Sequence, residues 1–207
     1  MTDINESAPQ TKRLNFLLRM KLWQKFTLLG AVGLALAAYP AYRLFKGVED
    51  QIATAHTEQS GLVAVTATLE LVQKLQDHRG SGSYFVLGDE KRGAAQPKNA
   101  ADADAALAKL ESVTGSLADP AITERVNTVR QQWTALKDNV TGRKIEQRAV
   151  TEDHITVIRG LLLLTEELSS AYKIDLDPDA ATHHMARSTL VELPALSEAL
   201  GLSLIHI

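Results

Sequence analysis

Residues 119–140, DPAITERVNTVRQQWTALKDNV, decide how the rest of the chain is read. Ile122, Val126, Val129, Trp133, Leu136 and Val140 recur at alternating steps of four and three, the spacing of a helix packed nearly parallel to its neighbours. Asp119 is a natural N-cap, and Pro120 occupies the first helical position, where its missing N–H costs nothing. Working outward, Ile155, Ile158, Leu161, Leu162, Leu164 and Leu168 form a second apolar face. Leu62, Val65, Leu69 and Val72, widened by Leu71 and Leu75, form a third. Between the third and first patterns, a polar turn beginning at Gly88 leads into an Ala-rich helix with Leu107 and Leu110 directed inward. Asp177-Pro178 repeats the capping device and opens a final helix through Met185, Leu190 and Leu193, which Pro194 is expected to kink or end.

Aromatic residues make up only 5% of the chain, strand formers are sparse, and neither a strand pattern nor an internal repeat occurs. Helices that each carry one apolar stripe must bury it against one another. The expected fold is therefore all-α: an N-terminal transmembrane helix continuing into an antiparallel, four-helix-type extracytoplasmic bundle. All the apolar residues named above are assigned to its core.

The membrane expectation rests on residues 26–42, which contain no charged side chain between Lys25 and Arg43. Seventeen such residues meet the lower bound for crossing a bilayer. A cleaved signal sequence would show a shorter apolar run, and this one continues past the Ala35-Leu36-Ala37 site. Five basic residues precede the run, whereas Glu49 and Asp50 follow soon after Arg43 and Lys46. The positive-inside rule then places the N-terminus in the cytoplasm and residues from about 45 in the periplasm of a Gram-negative cell. Tyr39, Tyr42 and Trp23 stand near the ends of the run, as interfacial rings do. The expected organisation is a cytoplasmic tail over residues 1–25, disordered over residues 1 to about 15, a transmembrane helix over 26–44 and a periplasmic helical sensor domain over 45–201.

Charge and composition exclude several functions. Residues 1–44 carry six basic and two acidic side chains, so a chain of net charge −3 leaves −7 on its remainder. An acidic folded part is unsuited to nucleic acid. Cysteine is absent, which removes disulfides and thiolate chemistry. His183 and His184 are adjacent and point about 100° apart on a helix, so they do not share one ion. His78 and His154 stand alone, and Ser81 and Ser83 lack the strand–turn–helix setting of a nucleophile. Neither an enzyme, a metal site nor a cofactor is expected.

The polar stretch that core packing does not absorb is LQDHRGSGSYFVLGDE, Leu75–Glu90. It sets Asp77, His78 and Arg79 beside Gly80, Gly82 and Gly88, and each glycine costs about 0.5–1 kcal/mol in a helix interior. Close backbone packing or a turn is implied. The planar fork of Arg79 suits a small anion or carboxylate; the plainer reading pairs it with Asp77 or another acid of the bundle.

Three segments together carry a resemblance. LWQKFTLLGAVGLAL (from Leu22) with Tyr39-Pro40, then LQDHRGSGSYFVLGD, and SSAYKIDLDPDAATHHMARSTLVELPALSEALG (Ser169–Gly201) resemble the N-terminal sensory half of proteobacterial methyl-accepting chemotaxis proteins. The middle segment is similar to the arginine-bearing helix of NIT-type (nitrate- and nitrite-sensing) domains, which typically read Q-x-E-R-G-x-S. His78 stands here where Glu is usual, and Gly82 where a larger residue is usual. The resemblance implies a small-molecule ligand, an anion among the candidates, with Arg79 the first contact, His78 beside it and Arg187 a more remote one. It implies a homodimer, and signalling to cytoplasmic partners through a second membrane helix, a HAMP linker and a coiled coil. Membrane diguanylate cyclases and sensor histidine kinases carry similar input halves, and a membrane-anchored helical scaffold without ligand would show the same span and bundle. The final LSLIHI, Leu202–Ile207, would be encoded by a sequence like the mosaic end of transposon sequencing adapters. The biological sequence is therefore expected to end near Gly201 within a longer protein.

Overall fold

The computed structural model describes residues 20–174 and 180–205. Most of the N-terminal tail, the Asp177-Pro178 cap and the last two residues lie outside these. The described residues are helical, with no strand among them: α1 (Leu22–Val86), α2 (Gln96–Leu117), α3 (Pro120–Thr141), α4 (Gln147–Ala171) and α5 (Ala180–Arg187), then a π-helical turn (Ser188–Glu192) and α6 (Leu193–Ile205). The chain divides into two units, with the boundary between Ala53 and Thr54.

In the first unit, α1 contains a stretch long and apolar enough to cross a membrane, none of it buried. Leu34, Leu36, Tyr39, Leu44 and Phe45 are all exposed. Pro40 lies within the helix without ending it; a helix with no interior to protect tolerates the lost N–H where neighbouring groups can re-satisfy the carbonyl.

The second unit holds the core. All six residues of the α3 stripe are buried, and the Asp119 carboxylate accepts from the N–H groups of Ala121 and Ile122 at 2.9 and 3.3 Å. They share one apolar cluster with Leu71, Val72 and Leu75 of α1, Leu107 and Leu110 of α2, and Val157, Ile158, Leu161, Leu164 and Leu168 of α4. Ion pairs bridge neighbouring helices at the surface. Glu70 meets Lys109, Asp104 meets Lys137, Glu111 meets Arg130, and Arg125 meets Glu167.

Four apolar residues assigned to the core stand outside it: Leu62, Met185 and Leu193 are exposed, and Ile155 is half-buried away from the apolar cluster. The buried face of α1 begins on Gly61 and Ala64, takes in the expected Val65, and continues through Ala67 and Thr68. Its phase is set by small residues because another element comes close. A Cβ on Gly61 would stand 2.2 Å from the Cβ of Tyr172, so only glycine admits the ring. The glycines of the Leu75–Glu90 stretch divide by role. Gly82 packs beneath Val140 and His78, Gly88 turns the chain at φ +78°, and Gly80 faces open space. Pro194 does not end the helical run; it is the second residue of α6. Proline cannot donate to the carbonyl four residues back, and the preceding turn widens so that the Leu193 N–H bonds to the Ser188 carbonyl, five residues back.

Candidate functional site

A layer of buried polar side chains crosses the core at His78 and Arg79 of α1. His78 is fully buried, and Arg79 is 3% exposed. Consecutive residues on a helix diverge by about 100°, so the two face different partners. Arg79 meets Glu198 of α6 with its whole fork: Nη1 contacts Oε1 at 2.5 Å and Nη2 contacts Oε2 at 3.1 Å. Gln76, one turn earlier, donates its amide to the same carboxylate at 2.8 Å. Glu198 is itself only 7% exposed. A buried carboxylate survives only where its lone pairs are satisfied, and these three donors satisfy it.

His78 belongs to a directed chain of hydrogen bonds. The ring of His154, on α4, approaches the Val150 carbonyl through Nδ1 at 2.6 Å. A carbonyl only accepts, so His154 carries its proton on Nδ1 and presents a bare Nε2. That nitrogen stands 2.9 Å from Nδ1 of His78, which therefore donates. Nε2 of His78 is left to accept from the amide of Gln96 at 3.2 Å. The same amide reaches the Thr141 hydroxyl at 3.4 Å. Trp133 closes one side, its ring edge-on to His78 with centroids 4.8 Å apart, and its indole N–H donates to Asp104 at 2.8 Å. Every position is filled when both histidines are neutral. Burial pushes the pKa of His78 down to about 4, against a smaller upward pull from Asp104. Burial likewise pushes His154 down to about 3, opposed by its bond to the Val150 carbonyl.

Arg187 is not brought to this layer. Glu198 lies eleven residues beyond it, about 16 Å along a helix. It lines a separate cavity of about 210 Å³ with Glu166, Ser169, Ser170, Ile174, Ala186, Leu190 and Val191. Arg187 is exposed, and its Nε is 3.4 Å from Glu192. Ser169 is 4% exposed, and its hydroxyl has no hydrogen-bond partner among the described residues. Among the described residues no group of three or more His, Asp or Glu is placed to hold a metal ion.

The sequence pointed to His78, Arg79 and Arg187 but not to His154, Gln96, Glu198 or Ser169. One signal was available. His154 falls in phase with Val150, Val157 and Leu161 on the buried face of α4, and a buried imidazole requires partners. No protein-family model, curated protein or solved structure matches this chain.

Proposed function

We propose that the chain is the ligand-sensing N-terminal half of a transmembrane chemoreceptor. Residues 26–44 span the bacterial inner membrane with the N-terminus in the cytoplasm, and residues 45–201 form an antiparallel, four-helix-type periplasmic bundle that works as a homodimer. The observation that carries this reading is the make-up of α1: one helix contains both an exposed apolar stretch of membrane length and the buried Arg79 held by Glu198 of α6. A ligand that binds two arrangements of α6 unequally would shift the element to which α1 is tied. Coupling of about 1–3 kcal/mol, a five- to 150-fold change in affinity, is the usual scale of such linkage. Helix displacement is the simplest mechanical output for an all-helical sensor.

The test uses the absence of native cysteine. Single cysteines at Ser7 and at the exposed Gln73 are introduced separately into the full chain in bacterial spheroplasts and treated with a membrane-impermeant maleimide. Labelling of S7C only after membrane disruption, and of Q73C before it, is expected. Equal labelling of both before disruption, or release of the chain from membranes by salt alone, refutes the reading.

A further inference from the structure

The cavity beside Arg187 has the chemistry of a binding site. Its volume, about 210 Å³, holds about seven water molecules at about 30 Å³ each, the size of a small metabolite. Ser169 lines it, and the Ser169 hydroxyl is buried with no hydrogen-bond partner among the described residues. A serine in a helix ordinarily bonds the carbonyl four residues back, as Thr165 does with Leu161 on the same helix. An unmade hydrogen bond of this kind is costly, and a polar ligand atom would remove that cost. One wall, Leu190 and Val191, belongs to the π-helical turn; π-bulges are rare and recur at functional sites.

Charge narrows the ligand. Arg187 and Glu166 line the same small space, so a simple anion would meet a carboxylate and a simple amine would meet a guanidinium. A zwitterion satisfies both. Arg187 is available for this, because its partner Glu192 is a loose one at 3.4 Å and both side chains are more than half exposed; such pairs contribute little. Ile174, Ala186 and Leu190 supply an apolar surface for a short side chain.

We propose that this cavity binds a free α-amino acid with a small aliphatic side chain, its carboxylate on Arg187, its ammonium on Glu166 and a hydroxyl contact from Ser169. The proposal takes its purpose, though not its chemistry, from the receptor reading above. The full chain in lipid nanodiscs is titrated calorimetrically with L-alanine, L-valine and L-leucine in turn, and with isobutyrate, isobutylamine and nitrate. At least one amino acid is expected to bind, with R187Q and E166Q each weakening it about ten- to a hundredfold, the usual reach of a charge-assisted hydrogen bond. S169A should weaken binding several-fold while leaving the melting temperature of the unliganded chain unchanged or raised, since it removes a hydroxyl with no partner. No binding by any of the three at millimolar concentration overturns the proposal. So does isobutyrate, isobutylamine or nitrate binding as tightly as the amino acid, or an affinity indifferent to both charge variants. The receptor reading fails on the maleimide labelling instead, whatever the calorimetry gives.

Discussion

The His78–His154 pair makes the stability of the second unit depend on pH in a calculable way. Both imidazoles are neutral in the fold, with pKa values lowered to about 4 and about 3, and both return to an ordinary value near 6.5 when the chain unfolds. The unfolded chain therefore binds more protons between these values, and stability falls as pH falls. The contribution is complete above about pH 6.5 and is lost progressively on acidification toward about pH 4 for His78 and lower for His154. Going from about pH 7 to about pH 5, each histidine costs about 2 kcal/mol, so the pair costs about 4 kcal/mol. The assay is urea unfolding of the full chain in detergent, followed by the fluorescence of Trp133 in a W23F background. The control is H78Q/H154Q, in which glutamine keeps a donor and an acceptor at each position but does not titrate in this range. Wild type should lose about 4 kcal/mol over the interval and the double variant only a small part of that. Equal losses in the two proteins would show that the histidines are not buried neutral in the fold, and the hydrogen-bond assignment would fall with them.

Three other substitutions probe the packing. R79M strands the Glu198 carboxylate and should cost about 3–5 kcal/mol in denaturant melts, whereas R79M/E198L, which removes both charges, should recover most of that; an equally damaged double variant would refute the pairing. G61A drives a methyl group into Tyr172 and should cost about 1–3 kcal/mol, with Y172A relieving the clash in a double-mutant cycle; no coupling between the two would place the ring elsewhere. Ala118 caps α2 in the left-handed region at φ 53°, so A118G should stabilise by about 1 kcal/mol, seen as a raised urea midpoint with an unchanged slope.

How far the sequence led depends on the size of the residues that do the packing. The α3 stripe was legible because large side chains recur at helical spacing behind an Asp-Pro cap, and each of its six residues is buried. The stripe on α1 was legible at Val65, Leu71, Val72 and Leu75, all buried, but not at its first residue, where Leu62 is exposed and Gly61 and Ala64 are buried. Counting large apolar residues passes over a face made of small ones, and such a face reveals itself only when the Tyr172 ring that fills it is known. The polar layer was hidden for a different reason. His78 and His154 are 76 residues apart, and Arg79 and Glu198 are 119 apart. No local spacing encodes pairs like these; they depend on the register in which helices meet.

That register also sets what each of the two arginines must give up in order to meet a ligand. The sequence puts Arg79 first, because it sits in the distinctive glycine-rich stretch, and Arg187 second. In the fold, Arg79 can take a ligand only by releasing Glu198, leaving a nearly buried carboxylate with Gln76 as its remaining donor. Breaking a buried pair in this way costs about 3–5 kcal/mol, which an incoming carboxylate must first make good. Arg187 gives up a long, exposed contact with Glu192 worth about 0–1 kcal/mol. The difference of several kcal/mol is a factor of a hundred or more in affinity, on the scale of about 1.4 kcal/mol per tenfold. Arg79 is then better suited to holding α1 and α6 together than to meeting a ligand. Arg187 and Glu198 lie on successive helical segments, Ala180–Arg187 and Leu193–Ile205, joined by the π-helical turn. R187Q should therefore weaken amino-acid binding about ten- to a hundredfold without altering unliganded stability. R79M should lower stability yet leave residual binding at Arg187 measurable at low temperature. Calorimetry and urea melts on the two variants separate these effects, and loss of binding in R79M alone would restore the order read from the sequence.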